Sequence, residues 1–388
     1  MAKYDFDEIV PREGTNCEKI EQLEALCGRT DVLPMWVADM DFRTPPFIFE
    51  AIQKRMAQGI LGYTGPSESY KQSIVDWVRS HYDMHITPDM VQNVPGIVPG
   101  IFLAVNCFTE KGDKVLIMQP VYHPFRLVPE ASGRVVVQNR LVRTETGYSI
   151  DFQALEHDIR GCKLMILCNP HNPGGICWLR EELQQVAHIA KQAGVPVVSD
   201  EIHCDMVLQG RRHIPFCTVS DEAASNSITF QAPTKTYNLP GVVASHCIVL
   251  DPALREKFFG YVQGNDMGMG NIFSFDCVKA CYTPEADEWR NQMLTYVQGN
   301  IDYLDERLKK ECPQIKVMRP QASFLVWLDC RGMGMTQIQL EDFFVNKARV
   351  FMNPGTMFGD AGEGYFRMNV GCPRSTVKQA VDQILAAF

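Results

Sequence analysis

The sequence predicts an α/β chain of 388 residues built on a mostly parallel sheet. Three observations point there. Short apolar runs rich in Val, Ile and Leu recur through the middle of the chain, as strands buried on both faces require. Amphipathic stretches at helical spacing separate these runs, and strands alternating with helices build parallel sheets. Both chain ends break the alternation, so a smaller α+β part is expected there.

In order, Glu18–Cys27, Phe47–Ala57, Ser67–His81 and Pro99–Phe108 read as helices. Strands are expected at Lys114–Met118, Arg134–Val137, Leu164–Cys168, Val195–Val198, Ser227–Phe230 and Cys247–Leu250. Arg180–Gly194 has apolar positions at helical spacing and a glycine stop, and Ala253–Gln263 reads the same way. A long amphipathic pattern begins near Thr283 and leads to strands at Ser323–Leu328 and Tyr365–Val370. A helix over Ser375–Ala387 closes the chain. The expected division is 1–45 and 285–388 as the two parts of a small domain, with 46–284 as the large one.

Hydrophobic residues make up 46% and charged residues 21%, which excludes a disordered, collagen-like or coiled-coil chain. With 37 Lys+Arg against 46 Asp+Glu, the net charge of −9 argues against nucleic acid or an anionic membrane as partner. No run of 18 apolar residues is present, and the acidic, polar start lacks the apolar core of a signal peptide. The 14 cysteines, without a CxxC, read as reduced thiols of a cytoplasmic protein. Cys277 and Cys281 stand four apart with no matching Cys or His pair, so no metal is expected.

Four loop motifs beside the strands carry chemistry. Lys235, in Gln231-Ala-Pro-Thr-Lys235, follows the strand Ser227–Phe230. It is either a surface lysine or one that forms a Schiff base, which must shed its proton near neutral pH in a desolvated site. Asp200, in Ser199-Asp-Glu-Ile-His203, ends a strand. It either caps the next turn or pairs with a cation such as a pyridinium nitrogen. Asn172, in Asn169-Pro-His-Asn-Pro-Gly-Gly175, sits in a dense turn and offers an amide to a phenolate oxygen. Arg367 lies in an apolar strand pattern, where a guanidinium needs either an internal carboxylate or a substrate carboxylate.

In this order and context the motifs resemble the class I/II aminotransferases, the fold type I family of pyridoxal-5′-phosphate (PLP) enzymes. The matching patterns are Asn-Pro-x-Asn-Pro-x-Gly, Ser-Asp-Glu, Thr-Lys-x-x-x-x-x-Gly and Arg-x-Asn-x-x-x-Pro. Pro34-Met-Trp-Val-Ala-Asp-Met-Asp-Phe42, Gly62-Tyr63, Ala232–Leu239 and Asn353–Gly359 resemble the cystathionine β-lyase/C–S lyase branch, and the likeness spans the whole chain. It implies a large domain with a seven-stranded, mostly parallel sheet.

The resemblance also implies roles. Lys235 would form the Schiff base with PLP and move protons. Asp200 would pair with the pyridinium nitrogen, and Asn172 and His203 would meet the phenolic oxygen. Many aminotransferases of the wider family have Tyr at the position of His203, whereas the lyase branch commonly has His. Tyr122 would stack on the ring and assist the leaving group. Ile97 and Val98, at the start of a helix, would offer backbone N–H groups to the phosphate, and Thr234 would contact the cofactor. Arg367 would bind the substrate α-carboxylate, with Trp36, Tyr63 and Met357 around the substrate. Tyr63 would reach the cofactor phosphate from a neighbouring subunit, which implies a homodimer with shared sites. Two departures stand out: Gln231 replaces a common Ser or Met, and Val243 stands where many aminotransferases have a phosphate-binding Arg. The implied reaction is β-elimination of a thiol from sulfur amino acids such as L-cystathionine or L-cysteine. A transaminase using the same residues is the alternative, and a regulatory binding role is a further one.

Overall fold

The computed structural model describes residues 3–208 and 210–388. Seven strands form the larger sheet: β1 (Val91–Val94), β2 (Lys114–Gln119), β3 (Val135–Arg140), β4 (Cys162–Cys168), β5 (Val197–Asp200), β6 (Ser227–Gln231) and β7 (Ser245–Ile248). Their order is β1-β7-β6-β5-β4-β2-β3. β2, β3, β4, β5 and β6 pair in parallel, and β7 runs antiparallel to both β1 and β6. β4, β5 and β6 are in register at Cys168, Asp200 and Phe230, so their carboxyl ends open on one side.

Several boundaries moved for physical reasons. β5 begins two residues later than expected because Pro196 has no N–H for the ladder; its carbonyl accepts from Met165 instead. β7 lies at Ser245–Ile248 rather than Cys247–Leu250, and its polar start hid it. β1 was missed for the same reason, since Gln92 and Asn93 interrupt its apolar pattern. β3 runs on through Gln138-Asn-Arg140, a polar continuation suited to an edge strand. The single helix expected over Glu18–Cys27 is two short ones, α1 (Glu18–Glu21) and α2 (Leu23–Cys27).

Helices cover both faces of the sheet. Among them, α3 (Ile97–Phe108) packs so closely that a Cβ on Gly100 would lie 2.6 Å from the Phe230 ring. Gly96 precedes this helix with φ +108, a conformation glycine adopts without cost. The long pattern after Thr283 becomes α4 (Pro284–Glu311), capped by the Thr283 side chain. It buries Trp289, Met293, Val297, Ile301, Leu304 and Leu308, a stripe at spacings of three and four. Beside it stands a four-stranded antiparallel sheet of β8 (Lys316–Met318), β9 (Leu325–Asp329), β10 (Asn353–Pro354) and β11 (Tyr365–Asn369), ordered β8-β9-β11-β10. β9 starts after Ser323, whose φ of +79 cannot belong to a strand. The chain's beginning joins this part: Leu33 and Pro34 pair in parallel with Val350 and Phe351. No helix among the described residues is long and apolar enough to cross a membrane.

Candidate active site

The carboxyl ends of β2, β4, β5 and β6 and the amino end of α3 enclose a cavity of about 220 Å³. Ligands bind at this edge of open α/β sheets. Tyr122, Asn172, Asp200, His203, Thr234, Lys235, Ile97 and Val98 all line it. The loops carrying Tyr122 and Asn172 are joined by a hydrogen bond from Tyr122 N to Asn172 O, 3.1 Å.

Lys235 follows β6 in a turn where Tyr237 N bonds Pro233 O and Leu239 N bonds Thr234 O. Its Nζ donates to the Ala38 carbonyl at 2.7 Å. Desolvation lowers its pKa from 10.5 to about 8, Asp39 and Asp200 oppose the drop, and Arg367 adds to it. At pH 7 the neutral fraction thereby rises from roughly 1 in 3,000 to roughly 1 in 10.

Asp200 is buried and accepts a bond from Ile202 N at 3.0 Å. Its carboxylate caps that turn and still has no cation bonded to it. Burial pushes its pKa up to about 7. His203 is buried with Nδ1 unpartnered. Desolvation, then Lys235 and Arg367, press its pKa down to about 3, so the ring is neutral.

Arg367 sits on β11, 4% exposed, at the wall behind Asn172. It donates to Asn172 Oδ1 (3.2 Å), Trp36 O (3.3 Å) and Asn353 Oδ1 (2.7 Å), and lies over the Phe358 ring. No carboxylate is among these partners, and Nε has none. Burial lowers its pKa to about 10. A guanidinium in this state calls for an anion. Because Arg367 takes Asn172 Oδ1, the Asn172 amide nitrogen is left as the donor toward the cavity.

Residues 30–384 match the family model described as aminotransferase class I and II. The chain belongs to that family. It is 39% identical to cystathionine beta-lyase PatB of Bacillus subtilis (strain 168) over 99% of this chain and 100% of that one. Cystalysin of Treponema denticola, whose crystal structure contains PLP, superposes with a TM-score of 0.95 at 32% identity, covering 99% and 98% of the two chains. The PLP-bound C–S lyase of Staphylococcus hominis gives 0.90 at 31%, again over 99% and 98%.

Other expected site residues lie elsewhere in this family member. The Trp36 indole packs in a separate apolar cluster, donates to Lys19 O at 2.9 Å and does not line the cavity; only its carbonyl reaches Arg367. Met357 accepts from Asn353 Nδ2 and lines the neighbouring groove, not the cavity. Tyr63 is fully exposed and does not line this cavity within its own chain. Gln231 faces away, bonding Glu201 at 3.1 Å in a buried set with Ser199, His213 and Phe216 N. Val243 does line the cavity, and Lys235 is the only cationic side chain among its lining residues. The α3 end therefore offers helix N–H groups with Thr234 and Ser245 in place of a charge.

Sequence reading missed Ala38, Asn353 and Asn369. Asn353 orients Arg367, and Asn369 Nδ2 donates to Val37 O and Asp39 O at 2.6 and 2.7 Å. Their signals were present inside the quoted stretches Pro34–Phe42, Asn353–Gly359 and Arg367-x-Asn.

Proposed function

We propose that this chain is a PLP-dependent carbon–sulfur lyase, acting by β-elimination on sulfur amino acids such as L-cystathionine and releasing a thiol, pyruvate and ammonia. One observation carries it: a single cavity and its wall hold a lysine with a pKa near neutrality, a buried carboxylate without a cation and a buried guanidinium without an anion. The residues fit PLP. Asp200 suits its ring nitrogen, Asn172 and the unpartnered His203 its phenolic oxygen, and the start of α3 its phosphate.

When bound, PLP supplies an aldehyde for the Lys235 amine and a conjugated ring that takes up the electron pair left at Cα. Lys235, as the neutral amine, removes the Cα proton. Arg367 fixes the α-carboxylate with its planar fork, so the Cα–H bond is held toward Lys235. Asp200 would hold the PLP ring nitrogen protonated, and Tyr122 would lie against the ring and assist the departing sulfur. Relatives named as lyases, together with His203, favour elimination over transamination.

The working form is proposed as a homodimer. Met56, Ile60, Leu61 and Tyr63 form an exposed apolar run, which supports burial against a second copy and delivery of Tyr63 to its site. Fourteen free cysteines support the reducing cytoplasm as its location. A small unit of 1–45 and 285–388 acting on a large unit of 46–284 is supported by the pairing of Leu33–Pro34 with Val350–Phe351. The test is pyruvate release from L-cystathionine with PLP and no 2-oxo acid. Pyruvate in step with homocysteine, abolished in Lys235→Ala, is the expected result. Consumption of an amino acid only when a 2-oxo acid is added would replace the lyase with a transaminase.

A further inference from the structure

The segment Trp36–Phe42 is held at its carbonyls by side chains from distant parts of the chain. Arg367 donates to Trp36 O, Asn369 to Val37 O and Asp39 O, Asn238 to Met40 O and Phe42 O, and Lys235 to Ala38 O. Two of these donors are the proposed carboxylate-binding and Schiff-base residues, so the segment ties the two together.

A buried ion cluster grips the same segment from the N-terminal side. Lys19, on α1, is 2% exposed. Its Nζ lies 2.7 Å from Asp41 Oδ1 and 3.4 Å from Asp39 Oδ1, and donates to Asp39 O at 3.0 Å. Arg12 bridges both carboxylates, 3.1 Å from Asp41 and 2.5 Å from Asp39. The Lys19 carbonyl in turn accepts from the Trp36 indole. Burial lowers the Lys19 pKa, but Asp41 and Asp39 outweigh it and hold it above the usual lysine value. Removing Lys19 alone leaves Asp39 and Asp41 short of a cation and costs stability, so a loss of stability by itself does not reveal a positioning role. What the cluster supplies is a fixed backbone.

We propose that Lys19 is a positioning residue for Lys235: by clamping Asp39 and Asp41 it holds the Ala38 carbonyl where Lys235 Nζ donates to it. This role rests on the Schiff-base role proposed for Lys235. The carbonyl parks the free amine in one place, so the base returns to the same position in each turnover. It also favours the ammonium form. The charged groups felt at Lys235 are Asp39, Asp200 and Glu18, which favour the ammonium, and Arg367, which opposes it. Loosening the clamp withdraws Ala38 O and the Asp39 charge together; this outweighs the lost Lys19 charge, which is not among the leading charges felt at Lys235, so Lys235 should titrate at lower pH.

The experiment compares the full-length wild type, Lys19→Met and Lys19→Arg. In PLP-free protein, acetic anhydride labelling of Lys235 is followed against pH by peptide mass spectrometry. The wild-type midpoint is expected near 8. Lys19→Met should lower it by about half a pH unit or more, and Lys19→Arg should restore it. In PLP-loaded enzyme, Lys19→Met should lower kcat about tenfold with a smaller change in KM. A Lys19→Met protein that is less heat-stable but keeps the wild-type midpoint and kcat overturns the proposal. If Lys19→Met does not fold, Asp41→Asn leaves Asp39 for Lys19 and tests the same clamp, with the same expected direction. A failed Schiff-base role shows separately, as lyase turnover persisting in Lys235→Ala.

Discussion

Replacing Asp200 by Asn should remove a pH dependence from the stability of the PLP-free protein. Asp200 is 4% exposed, with a backbone N–H as its hydrogen-bond donor. Burial raises its pKa from 3.8 to about 7; Glu201 adds to the rise, while Ile202 N–H and Lys235 oppose it. That rise corresponds to ~4 kcal/mol. The sign follows from proton binding. The folded protein holds the Asp200 proton more tightly than the unfolded chain does. The associated stability is therefore fully present below pH 3.8 and is lost as pH rises through about 7. Between pH 5 and 7 the loss amounts to ~2.3 kcal/mol, since one bound proton changes the free energy by ~1.4 kcal/mol per pH unit and Asp200 is half ionised at pH 7. Asn has no such proton. Urea unfolding at pH 5, 6, 7 and 8 would follow the difference between wild type and Asp200→Asn. The wild type should lose ~2.3 kcal/mol relative to the variant across pH 5 to 7. With PLP bound, a protonated ring nitrogen should hold the carboxylate charged and remove the slope. A difference that stays constant with pH, or an equal slope with and without PLP, would refute the reasoning.

Two further outcomes are expected. Arg367→Gln removes a fork suited to the α-carboxylate and should lower kcat/KM by a factor of ~10²–10³, about 3–4 kcal/mol. Because it also removes a buried charge without an anion, its Tm should not fall; unchanged kcat/KM by steady-state assay would exclude the carboxylate role. Tyr63→Phe should raise the Kd for PLP about tenfold, the worth of one hydrogen bond to a charged phosphate. Equilibrium dialysis showing wild-type retention would count against a site shared between subunits.

The strands that face apolar layers on both sides were legible from composition alone. So was the placement of Asp200 at a strand end and of Lys235 and Asn172 just beyond strand ends, because burial and turn chemistry leave local signatures. Arg367 was also legible, since a guanidinium in an apolar strand stands out. Long-range choices left no such mark. The antiparallel direction of β7 and the polar strand β1 depend on which backbone ladder lies alongside, not on periodicity. Trp36 looked like a substrate residue, yet its ring turns into its own apolar cluster to satisfy the indole N–H on Lys19 O. Ala38 reaches Lys235 across 197 residues through a backbone carbonyl, a group every residue carries and no side chain announces. The sequence by itself determined which chemical groups the site contains. Only the tertiary structure decided which of them are left without a partner, because desolvation and unpaired charge arise from how distant segments close around one cavity.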